Sequence, residues 1–234
     1  MKTGLFSDTH YCDKEILEQN RKPRRALECA KTAASEFKRN GVEKVICLGD
    51  MIHFDGGIAE SVRHLQIISD VFRSEGFDCY ICLGNHDNEV LSHEDYRRIS
   101  GFKIAPCKIE TERSRLLLLD ASYTPDSKPY PQGELDWTVS FVPDEQLGWL
   151  DRELNTHKDC YIFIHQNIDT NVEERHIVSN ADEINSVIAA HKNVAHVYQG
   201  HYHYGARSII NSVPYTTLRA MCIGEENNYM IIDV

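Results

Sequence analysis

The sequence predicts a layered α/β domain with two packed β-sheets covered by helices. Residues 2–83 alternate apolar runs with amphipathic stretches in the order strand, helix, strand, helix, strand. That order calls for parallel pairing, with helices lying over the sheet. Residues 194–234 hold four short, closely spaced strand-like runs, which suggests antiparallel pairing. A chain of 234 residues also buries a sizeable core without staples.

Residues 2–7 read as the first strand. Residues 23–39 read as a helix, with Pro23 near its start and Leu27, Ala30, Ala34 and Phe37 on one face. Asn40-Gly41 stops it. Val42 to Leu48 is the second strand. A second helix follows Gly57, with Val62, Leu65, Ile68, Val71 and Phe72 as its apolar positions, and stops near Gly76. Asp78 to Leu83 is the third strand. Residues 102–120 read as one or two strands. Residues 121–142, rich in Pro, Tyr and Ser and without periodicity, read as a long functional loop. Pro143 to Leu154 is a short helix burying Leu147, Leu150 and Leu154. Cys160 to Ile164 is a strand, 181–191 a helix, and strands follow at 194–199, 205–210, 213–218 and 228–234.

The formal net charge of −11 argues against long nucleic acid as a partner, because backbone binding needs a basic face. Arg21-Lys22-Pro23-Arg24-Arg25 reads as a solvated helix start. No apolar run exceeds five residues, far too short to span a bilayer, so no membrane is expected. Met1-Lys2-Thr3 opens no signal-peptide pattern, and a cytoplasmic protein is expected. Of the eight cysteines only Cys79 and Cys82 stand in a C-x-x-C spacing, and they, like Cys47 and Cys160, lie in apolar runs. Buried reduced thiols are expected, with no thiolate metal site.

The chemistry gathers where the strands end. The first strand ends in Asp8-Thr9-His10, the second in Gly49-Asp50, the third in Gly84-Asn85-His86-Asp87. The strand at 160–164 ends in His165, and that at 194–199 in Gly200-His201-Tyr202-His203. Ligands bind beyond the carboxyl ends of parallel strands, so these stretches can converge on one point. Asp8 and His10, like His201 and His203, are two positions apart and can face one side. Carboxylate, amide and imidazole donors together suit Mn, Fe, Zn or Ni.

These motifs, in this order, resemble the calcineurin-like metallophosphoesterase superfamily, whose pattern runs DxH, GDxxD, GNH(D/E), a lone His and GHxH. The resemblance spans residues 8 to 203, with softer support from Gln146-Leu147-Gly148-Trp149-Leu150. It implies one domain over residues 1–234, built as a four-layer αββα sandwich of two packed mixed β-sheets flanked by helices. It also implies two divalent metal ions. Asp8, His10 and His203 would hold one, and Asn85, His165 and His201 the other. Asp50 would bridge them, and His86 would reach the substrate. A hydroxide between the ions would then attack phosphorus in line. His86, protonated, would stabilise developing charge or protonate the leaving oxygen.

One departure concerns His53, which stands where the family usually has an acid that helps orient the histidine of the third motif. His53 is expected to support a ligand from behind or to touch substrate, with Asp55 or Asp87 taking over the orientation of His86. Tyr202, between two proposed ligands, is expected near the site. Tyr123, Tyr130 and Trp137 are stacking candidates, with Trp137 read as packing under the long loop. Asp120 reads as a loop cap, and Arg207 and Arg219 as candidate phosphate contacts. His64, His93, His157, His176, His191 and His196 fit no motif and read as ordinary surface or core residues.

The expected activity is hydrolysis of a small phosphomonoester or phosphodiester, so the expected partner is a small phosphorylated molecule; no protein partner is legible. The alternatives are a nucleotide pyrophosphatase or cyclic nucleotide phosphodiesterase, and a non-catalytic metal-binding scaffold. Every proposed ligand is present, which argues against the scaffold.

Overall fold

The computed structural model describes residues 1–130, 136–224 and 226–234. Two sheets pack face to face between helices. The first has the strand order β11-β1-β2-β3-β4, from β1 (Lys2–Phe6), β2 (Lys44–Cys47), β3 (Asp78–Ile81), β4 (Lys103–Ile104) and β11 (Met230–Asp233). Its first four strands run parallel, and β11 closes the far side of β1 in antiparallel register. The second sheet has the order β5-β6-β7-β8-β10-β9, from β5 (Cys107–Glu110), β6 (Ser114–Leu118), β7 (Asp159–Ile164), β8 (Val194–Gln199), β9 (Ala206–Ile210) and β10 (Val213–Thr217).

Both faces of the central strands are buried, so they read as nearly continuous apolar runs. In β2, Val45 and Cys47 face the helices α1 (Pro23–Arg39), α2 (Ile58–Arg73) and α3 (His93–Ser100), while Ile46 faces the other sheet. In β7, Cys160, Ile162 and Ile164 face α4 (Asp144–Leu154) and α5 (Ala181–Ala189), while Phe163 faces inward. Leu116 to Leu119 alternate in the same way between the inter-sheet core and the α4–α5 side. The result is the four-layer αββα arrangement. None of the eight cysteines is paired, and all but Cys107 are fully buried. Among the described residues no helix is long and apolar enough to cross a membrane.

Three features differ from the sequence reading. Helix α3 falls in a stretch that periodicity left blank. Its ends were legible: the Ser92 side chain accepts from Asp95 N–H at 3.1 Å, and Gly101 terminates it in a left-handed conformation. The late strands are not uniformly antiparallel. β8 runs parallel to β7 and to β10, β9 pairs antiparallel at the edge, and β11 crosses to the other sheet. The loop at 121–142 folds back on itself, with the Tyr130 hydroxyl donating to Val139 O at 2.6 Å; its residues 131–135 lie outside the described residues.

The N-terminal ends of β2, β3 and β4 are tied by Asp78, which meets Lys44 Nζ, Lys103 Nζ and the Tyr80 hydroxyl, each at 2.8 Å. Burial opposes ionisation, but the bonds from Lys103, Lys44 and Tyr80 outweigh it and bring the carboxyl down to about 2. A depressed folded-state value means that this contribution is complete above about pH 4 and is lost as pH falls towards 2. Asp78→Asn is therefore expected to be less stable than wild type at pH 5, with the difference shrinking between pH 4 and pH 2. Urea midpoints across that range measure it.

Candidate dimetal centre

The functional side chains stand just past the C-terminal ends of β1, β2, β3, β7 and β8. The backbone there is forced into unusual shapes. Asp8, His10, Asp50 and His201 all take left-handed conformations, with φ of 53°, 43°, 52° and 66°. Each costs a non-glycine residue about 1–3 kcal/mol and persists only where its surroundings enforce it. Here they do: Asp8 N–H donates to Gly49 O and His10 N–H to Asp50 O, both at 2.9 Å, and Gly200 N–H to His165 O at 3.0 Å. Two glycines are required by proximity. A Cβ on Gly49 would enter the His165 ring, and one on Gly84 would overlap the Asp50 carboxylate.

The donors converge as two groups sharing one carboxylate. One donor atom each from Asp8, His10, Asp50 and His203 lie within 4.8 Å of one another, as do those of Asp50, His165 and His201. Asp50 Oδ2 is 3.5 Å from His10 Nε2 and 3.4 Å from His165 Nε2. His203 Nε2 is 3.5 Å from Asp8 Oδ1 and 3.1 Å from His10 Nε2. Most of these separations exceed hydrogen bonds and match the span of two bonds of about 2.0–2.2 Å to a shared cation.

The fit to a cation shows in what is left unpaired. Asp8 Oδ1, Asn85 Oδ1 and His165 Nε2 are buried and have no hydrogen-bond partner. Buried polar atoms normally have one, and unmatched lone pairs on buried oxygen and nitrogen atoms suit positive ions. Their other ends are held. Asp8 Oδ2 accepts from Ser7 Oγ and from His201 N–H, Asp50 Oδ1 accepts from His86 N–H at 2.9 Å, and His165 Nδ1 meets Leu48 O at 2.5 Å. In the neutral ring that contact puts the His165 proton on Nδ1 and leaves Nε2 to ligate.

Electrostatics favours ligation as well. Burial holds His10 and His201 well below the usual histidine range, in the neutral form that binds metal. Burial also pushes His165 down, but the Asp50 charge outweighs it and raises the ring to about 9, so a cation must displace that proton. Burial pushes Asp50 up, yet the neighbouring His165 and His86 bring it well below the usual carboxylate range.

His86 and His53 stand beside this cluster on the wall of a 390 Å³ cavity. Their ring centroids are 5.0 Å apart, and His86 is 4.8 Å from His10. Neither acid expected to orient His86 does so. Asp55 pairs with Lys14 Nζ at 2.8 Å, and Asp87 is turned towards backbone N–H groups. The acid beside His86 is Glu89, whose Oε2 is 3.3 Å from Nδ1. It sits three residues on in a tight turn, so a search for acids at the family's position passes over it. Burial lowers the His86 pKa, but the Asp50 charge and the Glu89 contact together raise it above the ordinary value. Burial, with the charges of His86 and Arg21, lowers His53 to about 4.

Other placements correct the sequence reading. Arg21 is buried, with one guanidinium nitrogen 3.3 Å from His10 Nδ1, and it lines the cavity; it is no solvated helix start. Trp137 and His176 also line the cavity, beside Tyr202. Cys222 lies within 4.8 Å of the His10 and His203 donors, so a sulfur does approach the centre. Burial and the charge of Asp8 hold its thiol well above the normal range. Asp120 caps its turn by accepting from Ser122 N–H and also meets His93 Nε2 at 2.8 Å, away from the cluster. Arg219 pairs with Glu226 and, like Arg207, lines a different surface.

A family model for calcineurin-like phosphoesterases matches residues 1–205. A protein of Fibrobacter succinogenes described as a probable cyclic nucleotide phosphodiesterase is 21% identical over 212 residues, covering 87% of this chain and 73% of that protein. Among solved structures, a dimetal phosphatase from Danio rerio superposes with a TM-score of 0.85 at 17% identity, covering 99% of this chain and 91% of that one. A phosphopantetheinyl hydrolase from Mycobacterium tuberculosis superposes with a TM-score of 0.52 at 10% identity, covering 94% and 90%.

Proposed function

This chain belongs to the calcineurin-like phosphoesterase family and is a metal-binding hydrolase of phosphate esters, and from that premise we propose that it cleaves a small phosphomonoester or phosphodiester over two divalent cations. The observation that carries the reading is Asp50 Oδ2, set nearly equally from His10 Nε2 and His165 Nε2 at 3.5 and 3.4 Å. In this reading Asp8, His10 and His203 hold one cation, Asn85, His165 and His201 the other, and Asp50 is shared.

When bound, such cations supply Lewis acidity to phosphoryl oxygens and make water a nucleophile near neutral pH. The chain's own residues do the rest. Held by these residues, two divalent cations would outweigh the carboxylates of Asp8 and Asp50, and Arg21 adds positive charge to the cavity. That attracts a phosphate dianion despite the net charge of −11. His86, poised by Glu89, in its protonated form donates to a phosphoryl or leaving-group oxygen. His53, neutral at physiological pH, supplies a hydrogen bond to the same region without adding charge.

A narrower reading, in which the ester is a cyclic nucleotide or a pyrophosphate-linked nucleotide, is favoured by the ring-lined cavity wall and by the description of the Fibrobacter relative. p-Nitrophenyl phosphate and bis-p-nitrophenyl phosphate assayed with Mn, Ni, Fe and Zn test the reaction class, and the preferred ester separates monoesterase from diesterase. His86→Ala is expected to lose about 10²-fold in kcat with bound metal unchanged. Normal turnover in that variant would remove the proton-donor role. Bound metal without turnover of either ester in wild type would favour a scaffold.

A further inference from the structure

We propose that Trp137 selects the substrate by stacking a planar aromatic group of the ester while the phosphoryl group sits over the strand-end residues. The inference rests on the functional reading above and narrows its substrate to phosphoesters that carry a planar ring.

Trp137 is placed unlike a packing residue. Among the described residues it belongs to none of the three apolar clusters that form the core, whereas Trp149 packs against one of them. Its neighbours are polar rings and a cation. Its centroid is 5.4 Å from that of His176 and 5.8 Å from that of His201, and the Arg175 guanidinium carbon is 5.5 Å from the indole centroid. Leaving an indole partly exposed forfeits burial energy that a core position would capture. A flat partner would recover it.

The position also fits. His201 is one of the converging imidazoles, so the indole begins one ring away from the place where phosphorus would sit. From there the rings continue outward. His176 meets Tyr202 at 5.2 Å, and Tyr202 meets Tyr204 at 5.9 Å, with Tyr204 67% exposed at the mouth. Arg175 is itself paired with Glu173 at 2.9 Å, so its charge is largely answered and it acts chiefly as a lid against the indole. Centroid spacings of 4.5–7 Å are those of offset and edge-on aromatic pairs, and stacking tolerates any planar ring.

The chain has two tryptophans, Trp137 and Trp149, so fluorescence can isolate the first. In the metal-loaded Trp149→Phe protein, AMP is expected to quench emission on mixing, and ribose 5-phosphate is not. In Trp137→Ala, the kcat/KM preference for p-nitrophenyl phosphate over glycerol 2-phosphate is expected to fall about tenfold or more relative to wild type, carried by KM for the aryl ester. Trp137→Phe, which keeps a flat ring, should restore most of it. Equal quenching by AMP and ribose 5-phosphate, or an unchanged ester preference in Trp137→Ala, would overturn the proposal. Quenching by AMP in a protein that hydrolyses no ester would support the stacking role and count against the hydrolytic reading alone.

Discussion

Asp50→Asn is expected to lose at least about 10³-fold in metal-dependent kcat while keeping its fold. Asp50 makes three connections at once: Oδ1 holds the His86 backbone N–H at 2.9 Å, and Oδ2 faces His10 and His165. An amide keeps one oxygen, and its NH₂ group has no lone pair to offer a cation. Either the His86 anchor survives and the shared position is lost, or the reverse. The substitution also removes the negative charge that raises His165 and His86, so both rings lose their present poise. Losing several kcal/mol of charge stabilisation at the reacting phosphorus corresponds to about three decades in rate. Initial rates at saturating manganese, with bound metal counted by elemental analysis and the fold checked by circular dichroism, measure it. Wild-type turnover in Asp50→Asn would remove Asp50 from the centre.

The largest effect on stability is expected from Asp87→Ala. The carboxylate is wholly buried and accepts from Asp50 N–H at 2.7 Å, from Met51 N–H and Gly84 N–H at 2.9 Å, and from the Tyr96 hydroxyl at 2.8 Å. It thus joins the loop after β2, the loop after β3 and helix α3 through one side chain. Truncation strands three buried N–H groups and a hydroxyl, each costing about 1–3 kcal/mol if unmet. Water entering the hole recovers part of this, so a loss of about 3–5 kcal/mol is expected. The pH dependence has a definite sign. Burial and the nearby Asp50 charge raise the Asp87 pKa to about 6 in the folded protein, above its ordinary 3.8. Its contribution is therefore complete below about pH 4 and declines as pH rises through 6. In chelated protein, the stability gap between wild type and Asp87→Ala should narrow from pH 4 to pH 7. Denaturant melts at several pH values test both statements.

The residues that floor the cavity could be picked from the sequence, with His53, His86 and Tyr202 on its wall, and the rest of the wall could not. Asp8, His10, Asp50, Asn85, His165, His201 and His203 each lie within four residues of a strand's C-terminal end. A strand buried on both faces announces itself by its apolar run and fixes where its end falls. Arg21, Trp137, Arg175 and His176 come from loops and short turns. Only the tertiary fold brings them to the cavity, and their local spacing carries no such signal. The same reason explains the late strands. Close spacing shows that β8, β9 and β10 are neighbours, but β10 inserts between β8 and β9, an order local sequence does not encode. Helix α3 was hidden by its polar start, His93-Glu94-Asp95, although Ser92 and Gly101 mark its ends.

The centre draws Asp8, His10, Asp50 and Asn85 from the first sheet and His165, His201 and His203 from the second. In the proposed assignment neither sheet alone would complete a coordination sphere. Chelating power is therefore acquired only when the two halves of the chain dock through the inter-sheet core. In folding kinetics, cations should find little to grip before that step and much to hold after it. They would leave the refolding rate nearly unchanged and slow the unfolding rate, acting as a kinetic clasp across the seam between the sheets.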